Sequence, residues 1–326
     1  DNLRRRAAQV TALAAPRTDS SGGVVVVTAA AASRGSYEPL LRVAPAPSVL
    51  DGRVGASARA VYRHSADGVD ENLLICLHGL GDGAASLARF GAALALPQTA
   101  VWALQGRHEV PLIGGGAWYT SLDAATGDVI PPRTPHRRRA RDITDAVDGL
   151  LATLRALTAG DAGWPRDAIH LLGFGDGATL ALHVAAAIAA GAGTTGTGAP
   201  PPLCSIVAIG GDLVTDALPS MPPATGVPPT AAALPHLYYT AFSDGDEGAA
   251  GSIRQLAGWW GEPAALVAEG GGRPAAAPPY TAALLRGAAR LPATRAATYP
   301  LMAHFSSLLR RRLVALERDP TVVRVA

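Results

Sequence analysis

The stretch Leu171–Leu182 reads LLGFGDGATLAL, an apolar run that passes through Gly173, Gly175 and Gly177 into a second apolar, helix-competent run. Glycine admits positive φ and close backbone approach, so this is the pattern of a strand turning sharply into a helix. Several enzyme classes set their reacting atom at the apex of such a turn. The turn is so tight that residues two before and two after the apex must be small. With Gly175 at the apex these are Gly173 and Gly177; with Asp176 they become Phe174 and Ala178, and a phenyl ring would crowd the bend. The register therefore favours Gly175 and disfavours an aspartate nucleophile. Asp176 instead suits the first turn of the helix, where a carboxylate gains typically ~0.3–1 kcal/mol from the macrodipole.

Outward from this turn the pattern is regular. Strands are expected at Ala58–Arg63, Leu73–Leu77, Ala100–Leu104, Ala168–Phe174, Cys204–Ile209, Leu237–Phe242 and Ala296–Tyr299. Helices are expected at Ala84–Leu96, Arg141–Leu157, Ala178–Ala190, near Ile253–Trp260 and at Phe305–Glu317. Within Arg141–Leu157, the residues Ile143, Ala146, Val147, Leu150, Leu151, Leu154 and Leu157 recur at helical spacing along one face. Alternating strands and helices predict an α/β fold, a doubly wound, mostly parallel sheet with helices on both faces. Residues 1–52 read as an N-terminal extension or arm with one strand-like run, Val24–Thr28. Residues 53–326 read as one domain, interrupted by Gly/Pro/Ala-rich insertions near 191–202, 217–235 and 261–279.

Composition narrows the function classes. The chain has 326 residues, 48% hydrophobic, and a formal net charge of +2, too small to argue for nucleic acid. Every basic residue is arginine, which fits a coding bias as well as any recognition role, and the clusters Arg4–Arg6, Arg137–Arg139 and Arg310–Arg312 read as solvated helix ends. Cys76 and Cys204 sit in separate apolar runs and predict buried, inert thiols. No apolar run approaches the roughly 18 residues of a membrane-spanning helix, so a soluble protein is expected. The Arg- and Ala-rich, acid-free residues 2–18 resemble an organellar transit segment, and a solvated arm contacting a partner is an equal alternative.

In a sheet of this kind ligands gather at the carboxyl ends of the strands. Four loops there are distinctive: His78-Gly79-Leu80-Gly81-Asp82-Gly83, Gly173–Gly177, Ser243-Asp244-Gly245-Asp246, and Leu301-Met302-Ala303-His304. In this order they resemble the acyl-protein thioesterase and phospholipase/carboxylesterase branch of the α/β-hydrolase fold. That branch has an HGLGD loop, a GFSQG nucleophile elbow, an intervening Trp, a GDxDP-like turn and a His before the last helix. The resemblance implies His304 as base and Asp246 as orienting acid, with Leu80 and Asp176 as the oxyanion amides. It also implies His78, Gly79, Gly81 and Trp118 lining the cleft. Asp244 competes with Asp246, and Glu247 stands where the family turn has Pro.

The chemistry of such a site needs a hydroxyl, an imidazole to take its proton, a carboxylate to orient the imidazole, and amides aimed at the developing oxyanion. At the third position of the elbow motif stands Gly175, which has no oxygen to give. The expectation is a catalytically silent hydrolase-like protein, a binding or structural subunit of a larger assembly, whose cleft retains room for an acyl or small apolar ligand. Two alternatives remain: an active carboxylesterase or thioesterase with a relocated or substituted nucleophile, and a dinucleotide-binding enzyme. The latter rests on Gly173-x-Gly175-x-x-Ala178, but no acid follows between Gly177 and Gly211 to hold a ribose. No cofactor is expected, and the eight scattered histidines give no metal-ligand spacing.

Overall fold

The computed structural model describes residues 42–55, 59–110, 114–159, 163–190, 203–218, 234–243, 248–263 and 280–317. The Val24–Thr28 run, the transit-like segment, Asp246 and most of the three expected insertions lie outside the described residues. In chain order the elements are β1 (Val61–Arg63), β2 (Asn72–Leu77), α1 (Ala84–Ala93), β3 (Thr99–Leu104), β4 (His108–Glu109), β5 (Gly116–Ala117) and α2 (Arg137–Thr158). There follow β6 (Ile169–Phe174), α3 (Asp176–Ala189), β7 (Ser205–Ile209), β8 (His236–Ser243), α4 (Gly248–Trp260), β9 (Tyr280–Arg286) and α5 (Arg295–Glu317).

Seven strands form the main sheet in the order β1-β3-β2-β6-β7-β8-β9, parallel throughout except for β1 against β3. β2 and β3 are buried along their whole length, as strands covered on both faces must be. On one face Leu73, Ile75, Leu171 and Tyr239 pack with α2, α3 and α4; on the other Leu74, Cys76, Leu172 and Tyr238 pack with α1 and α5. This is the doubly wound α/β architecture of the α/β-hydrolase fold. All seven periodic residues of α2 are buried, and His136 caps the helix by accepting from the Arg139 amide.

The chain from Arg42 to Gly55 packs on this domain. Leu50 and Val54 enter the core beside α2, and the Asp51 amide donates to Thr153 Oγ1 at 3.0 Å. Arg42 donates from Nε to the Asp70 carbonyl (3.1 Å) and from Nη1 to the Gly163 carbonyl (3.2 Å), and its guanidinium lies 4.5 Å from the Trp164 ring centroid.

One element departs from the sequence-based expectation. Ala296–Tyr299 belongs to α5, not to a strand, and the place beside β8 is taken by Tyr280–Arg286, with Leu237 opposite Tyr280. The reason is local: Arg and Ala are good helix formers, and the Thr294 hydroxyl accepts from the Ala297 amide at 3.2 Å, starting the helix before Pro300.

Gly149 marks where the arm crosses α2. A Cβ there would lie 2.9 Å from Arg53 Cβ and 3.0 Å from Val54 Cγ2. Gly149→Val is expected to cost about 1–3 kcal/mol by pushing Val54 out of its seat, read as a lower urea midpoint at unchanged helical content.

Candidate active site

The elbow is built by backbone approach. Gly175 sits between β6 and α3 at φ 54° and ψ −118°, a conformation that strains any residue with a Cβ. A Cβ on Gly173 would overlap the Gly177 carbonyl, and one on Gly177 would overlap the Leu77 carbonyl. The apex is therefore Gly175, flanked by two positions that only glycine can occupy. A Cβ at Gly175 itself would meet only the Gly79 Cα, at 3.6 Å. The Gly175 amide donates to the Ile209 carbonyl (3.0 Å), and its carbonyl accepts from Thr179 (2.9 Å), so neighbouring strand and helix both hold the bend.

The loop from His78 to Gly83 closes against it. The His78 carbonyl accepts from the Gly177 amide (3.1 Å) and from Trp118 Nε1 (2.7 Å). The His78 ring is buried; its Nε2 accepts from the Gly106 amide (3.0 Å), with Gln105 Nε2 at 3.2 Å, which leaves the proton on Nδ1, 2.7 Å from the Gly79 carbonyl. Burial lowers its pKa, so the ring is a neutral, fully committed scaffold piece. Gly81 donates to Gly116 and Gly116 to Asp82, clipping the loop to the strand turn around Gly114–Gly116. Trp118 is fully buried on the His78 ring, 4.8 Å between centroids. It braces the loop from behind and does not line an open cleft as the resemblance implies.

Asp176 follows the Gly175 apex as the first residue of α3, and Leu80 follows Gly79, whose Cα is the atom nearest a Cβ at Gly175. The Asp176 carboxylate is turned onto the Ser121 hydroxyl, which donates to Oδ2, and onto Tyr119. Burial raises the Asp176 pKa, with both hydroxyls opposing that rise. Sequence reasoning missed Tyr119, Ser121, Gln105 and Thr179. The string after Trp118 carried the signal, since two hydroxyls there face a carboxylate 55 residues on.

His304 is not brought to this elbow. It lies inside α5, buried, with its ring 5.4 Å from that of Tyr238 and 5.8 Å from that of Phe305. α5 abuts the turn Arg166–Ala168 at the amino end of β6, whereas Gly175 is at the carboxyl end, roughly 16 Å away along the strand. No hydrogen-bond partner meets His304 Nε2 among the described residues. The segment that follows the last strand to the elbow side is Gly287–Thr294, which holds no histidine; Ala289 is its residue nearest Gly210, and Gly210 in turn borders Gly175. Among the described residues no group of three or more His, Cys, Asp or Glu is placed to hold a metal, and no helix is long and apolar enough to cross a membrane.

A doubly wound sheet with a strand–Gly–helix elbow and an HG loop closing on it has the architecture of the α/β-hydrolase fold. Residues 64–217, from after β1 to past the elbow, match the phospholipase/carboxylesterase family. An uncharacterized hydrolase of Mycosarcoma maydis is 39% identical over 127 residues, 38% of this chain and 45% of that protein's length. Among solved structures, esterase PE8 superposes with a TM-score of 0.50 at 19% identity, over 77% of this chain and 97% of that one. The acyl-protein thioesterase 2 of Zea mays gives 0.49 at 18% identity, over 77% and 99%.

Substitutions at the elbow should rank by mechanism. Gly175→Ala has room and should cost about 1–3 kcal/mol from backbone strain alone. Gly173→Ala must part the strand from the helix and is expected to lower the thermal midpoint further, with loss of soluble yield.

Proposed function

We propose that this chain is a catalytically silent α/β-hydrolase of carboxylesterase or thioesterase ancestry that serves as a binding or structural subunit of a larger assembly. Gly175 at the apex is the observation that carries the reading. The elbow's backbone is intact, yet the apex offers no hydroxyl, thiol or carboxylate, and covalent acyl transfer from that position has no starting atom. Two further features support it. The imidazole at the elbow, His78, has both ring nitrogens committed, and His304 lies at the far end of the sheet. The Asp176 carboxylate, next to the apex, is taken up by Ser121 and Tyr119 and so is not free to activate or orient a group there. An acyl chain or other small apolar ligand is the class such a retained cleft would bind, since loss of a hydroxyl does not fill a pocket.

One observation favours a second reading. Ser121 donates to a carboxylate whose pKa is raised, which is the pairing a relocated nucleophile would need. The two readings separate in one experiment with short-chain p-nitrophenyl esters and a fluorophosphonate probe. The proposed protein gives no turnover above buffer and no labelling, and Gly175→Ser stays silent because no base among the described residues faces the new hydroxyl. Wild-type turnover that disappears in Ser121→Ala overturns silence. The assembly role is checked by native size separation: the chain is expected to migrate in a complex, and migration as a lone monomer would refute it.

A further inference from the structure

The amino-terminal end of the sheet carries a group of side chains that the elbow does not use. His170, Ser205 and His236 stand opposite one another across β6, β7 and β8. Residues paired in register in a parallel ladder present their side chains to the same face. That face is the one α5 covers, because Leu172 and Tyr238, two residues on from His170 and His236, pack with Leu301 and Phe305. α5 lays His304 over the row: the Phe305 ring bridges them, 5.7 Å from His170 and 5.8 Å from His304. His170 and His304 are 1% and 5% exposed, so neither ring can reach water while α5 is docked. His170 Nδ1 is 2.8 Å from Ser205 Oγ, and the Nε2 atoms of His170 and His304 have no hydrogen-bond partner among the described residues.

We propose that this histidine cluster is an acid-operated latch, in which protonation of His304 and His170 undocks α5 from the amino-terminal end of the sheet while the elbow stays folded. Among the groups acting on the two rings there is no opposite charge to hold a cation. Burial first, then the imidazoles of His236 and His170, push His304 down to about 3; burial and His236 push His170 down to about 4. Tyr238 of β8 faces α5, and burial raises its pKa, so the phenol is neutral there; the Cys76 thiol of β2, also raised by burial, lies toward Gly91 of α1. Cys204 precedes β7, and Arg166 and Asp167 lie on the turn that α5 abuts; no carboxylate is among the groups acting on either histidine. Both imidazoles are thus held below their ordinary value by docking. Released α5 binds protons that docked α5 refuses, so docking is fully favoured above about pH 6.5 and weakens as the pH falls toward the folded values. The elbow, at the opposite end of β6, contains no group of this cluster.

Native-state hydrogen exchange with mass spectrometry on the full chain reads the two ends separately, through peptides of residues 295–309 and 176–189. Between pH 7.5 and 5, after correction for intrinsic exchange, the opening constant of the α5 peptides is expected to rise about thirty-fold for each imidazole released, about a thousand-fold for two. The α3 peptides keep their protection. His304→Phe keeps a ring without the charge and should remove about thirty-fold of that response. His170→Gln should do the same, and it keeps the test open should the first variant fold poorly. Unchanged α5 protection down to pH 5, an equal pH response in wild type and both variants, or α3 opening together with α5 would each overturn the latch.

Discussion

The fold hangs on the closeness of three backbones at one point. Gly173 of β6, Gly177 of α3 and the Leu77–His78 carbonyls that end β2 meet so tightly that a single methyl group on either glycine has no place. β6 is the central strand of the sheet and β2 its neighbour, and α3, which leaves from this point, is buried almost throughout. The joint therefore sets where the principal helix crosses the sheet, independently of any chemistry at the apex. A chain that had lost a nucleophile would still need this joint to fold. Glycine at the apex also takes the left-handed conformation without the strain that a reactive side chain must tolerate there. A glycine that leaves the apex without a reactive side chain also relaxes the backbone there.

Much of this was legible in the sequence because it follows from size and period. The register of LLGFGDGATLAL could be read from which residues must be small, and the two glycines flanking Gly175 are the ones with no room. The apolar stripe from Ile143 to Leu157 is the buried face of α2. Less legible was what depends on who stands opposite. Trp118 is identifiable by its place between loops, but only the folded chain shows its indole donating backwards to His78. Arg42 reads as one more arginine in a biased composition, yet its backbone amide reaches the buried Asp70 carboxylate, which also accepts from Tyr62 and Ser65. The partners of Arg42, Asp70 and Gly163, are 28 and 121 residues away, and no local pattern encodes them.

Electrostatics at the elbow also depends on distant partners. Asp176 at the first turn of α3 is what a helix dipole favours, and that much is local. Its carboxylate would face an empty apex with full charge were it not for Ser121 and Tyr119, whose hydroxyls hold it from the far side of the long connection before α2. Thr179, one turn on in α3, donates its amide to the Gly175 carbonyl, and its hydroxyl accepts from the Asp212 amide at 3.2 Å, tying the Gly210–Asp212 loop to the same helix. The polar groups near the elbow are thereby spent on one another and on the loops, a rigid arrangement that holds a surface in place.

The position of His304 follows from packing, and the packing explains why a sequence reading misplaces it. Leu301, Phe305, Leu308 and Leu309 are all buried, and their spacing is that of one helical stripe against the sheet. Dividing the segment into a loop ending at His304 and a helix beginning at Phe305 cuts that stripe after its first residue. Pro300 argues for the cut, since an interior proline forfeits one hydrogen bond and costs about 3 kcal/mol. Against it, burying Leu301 and Phe305 stabilises by roughly 1.5–3 kcal/mol each, and the two gains together offset the proline. A helix that continues through Pro300 must carry residue 304 on the same side as 301, 305 and 308. The imidazole is thus buried by its neighbours' hydrophobicity, and among the described residues no partner meets its Nε2.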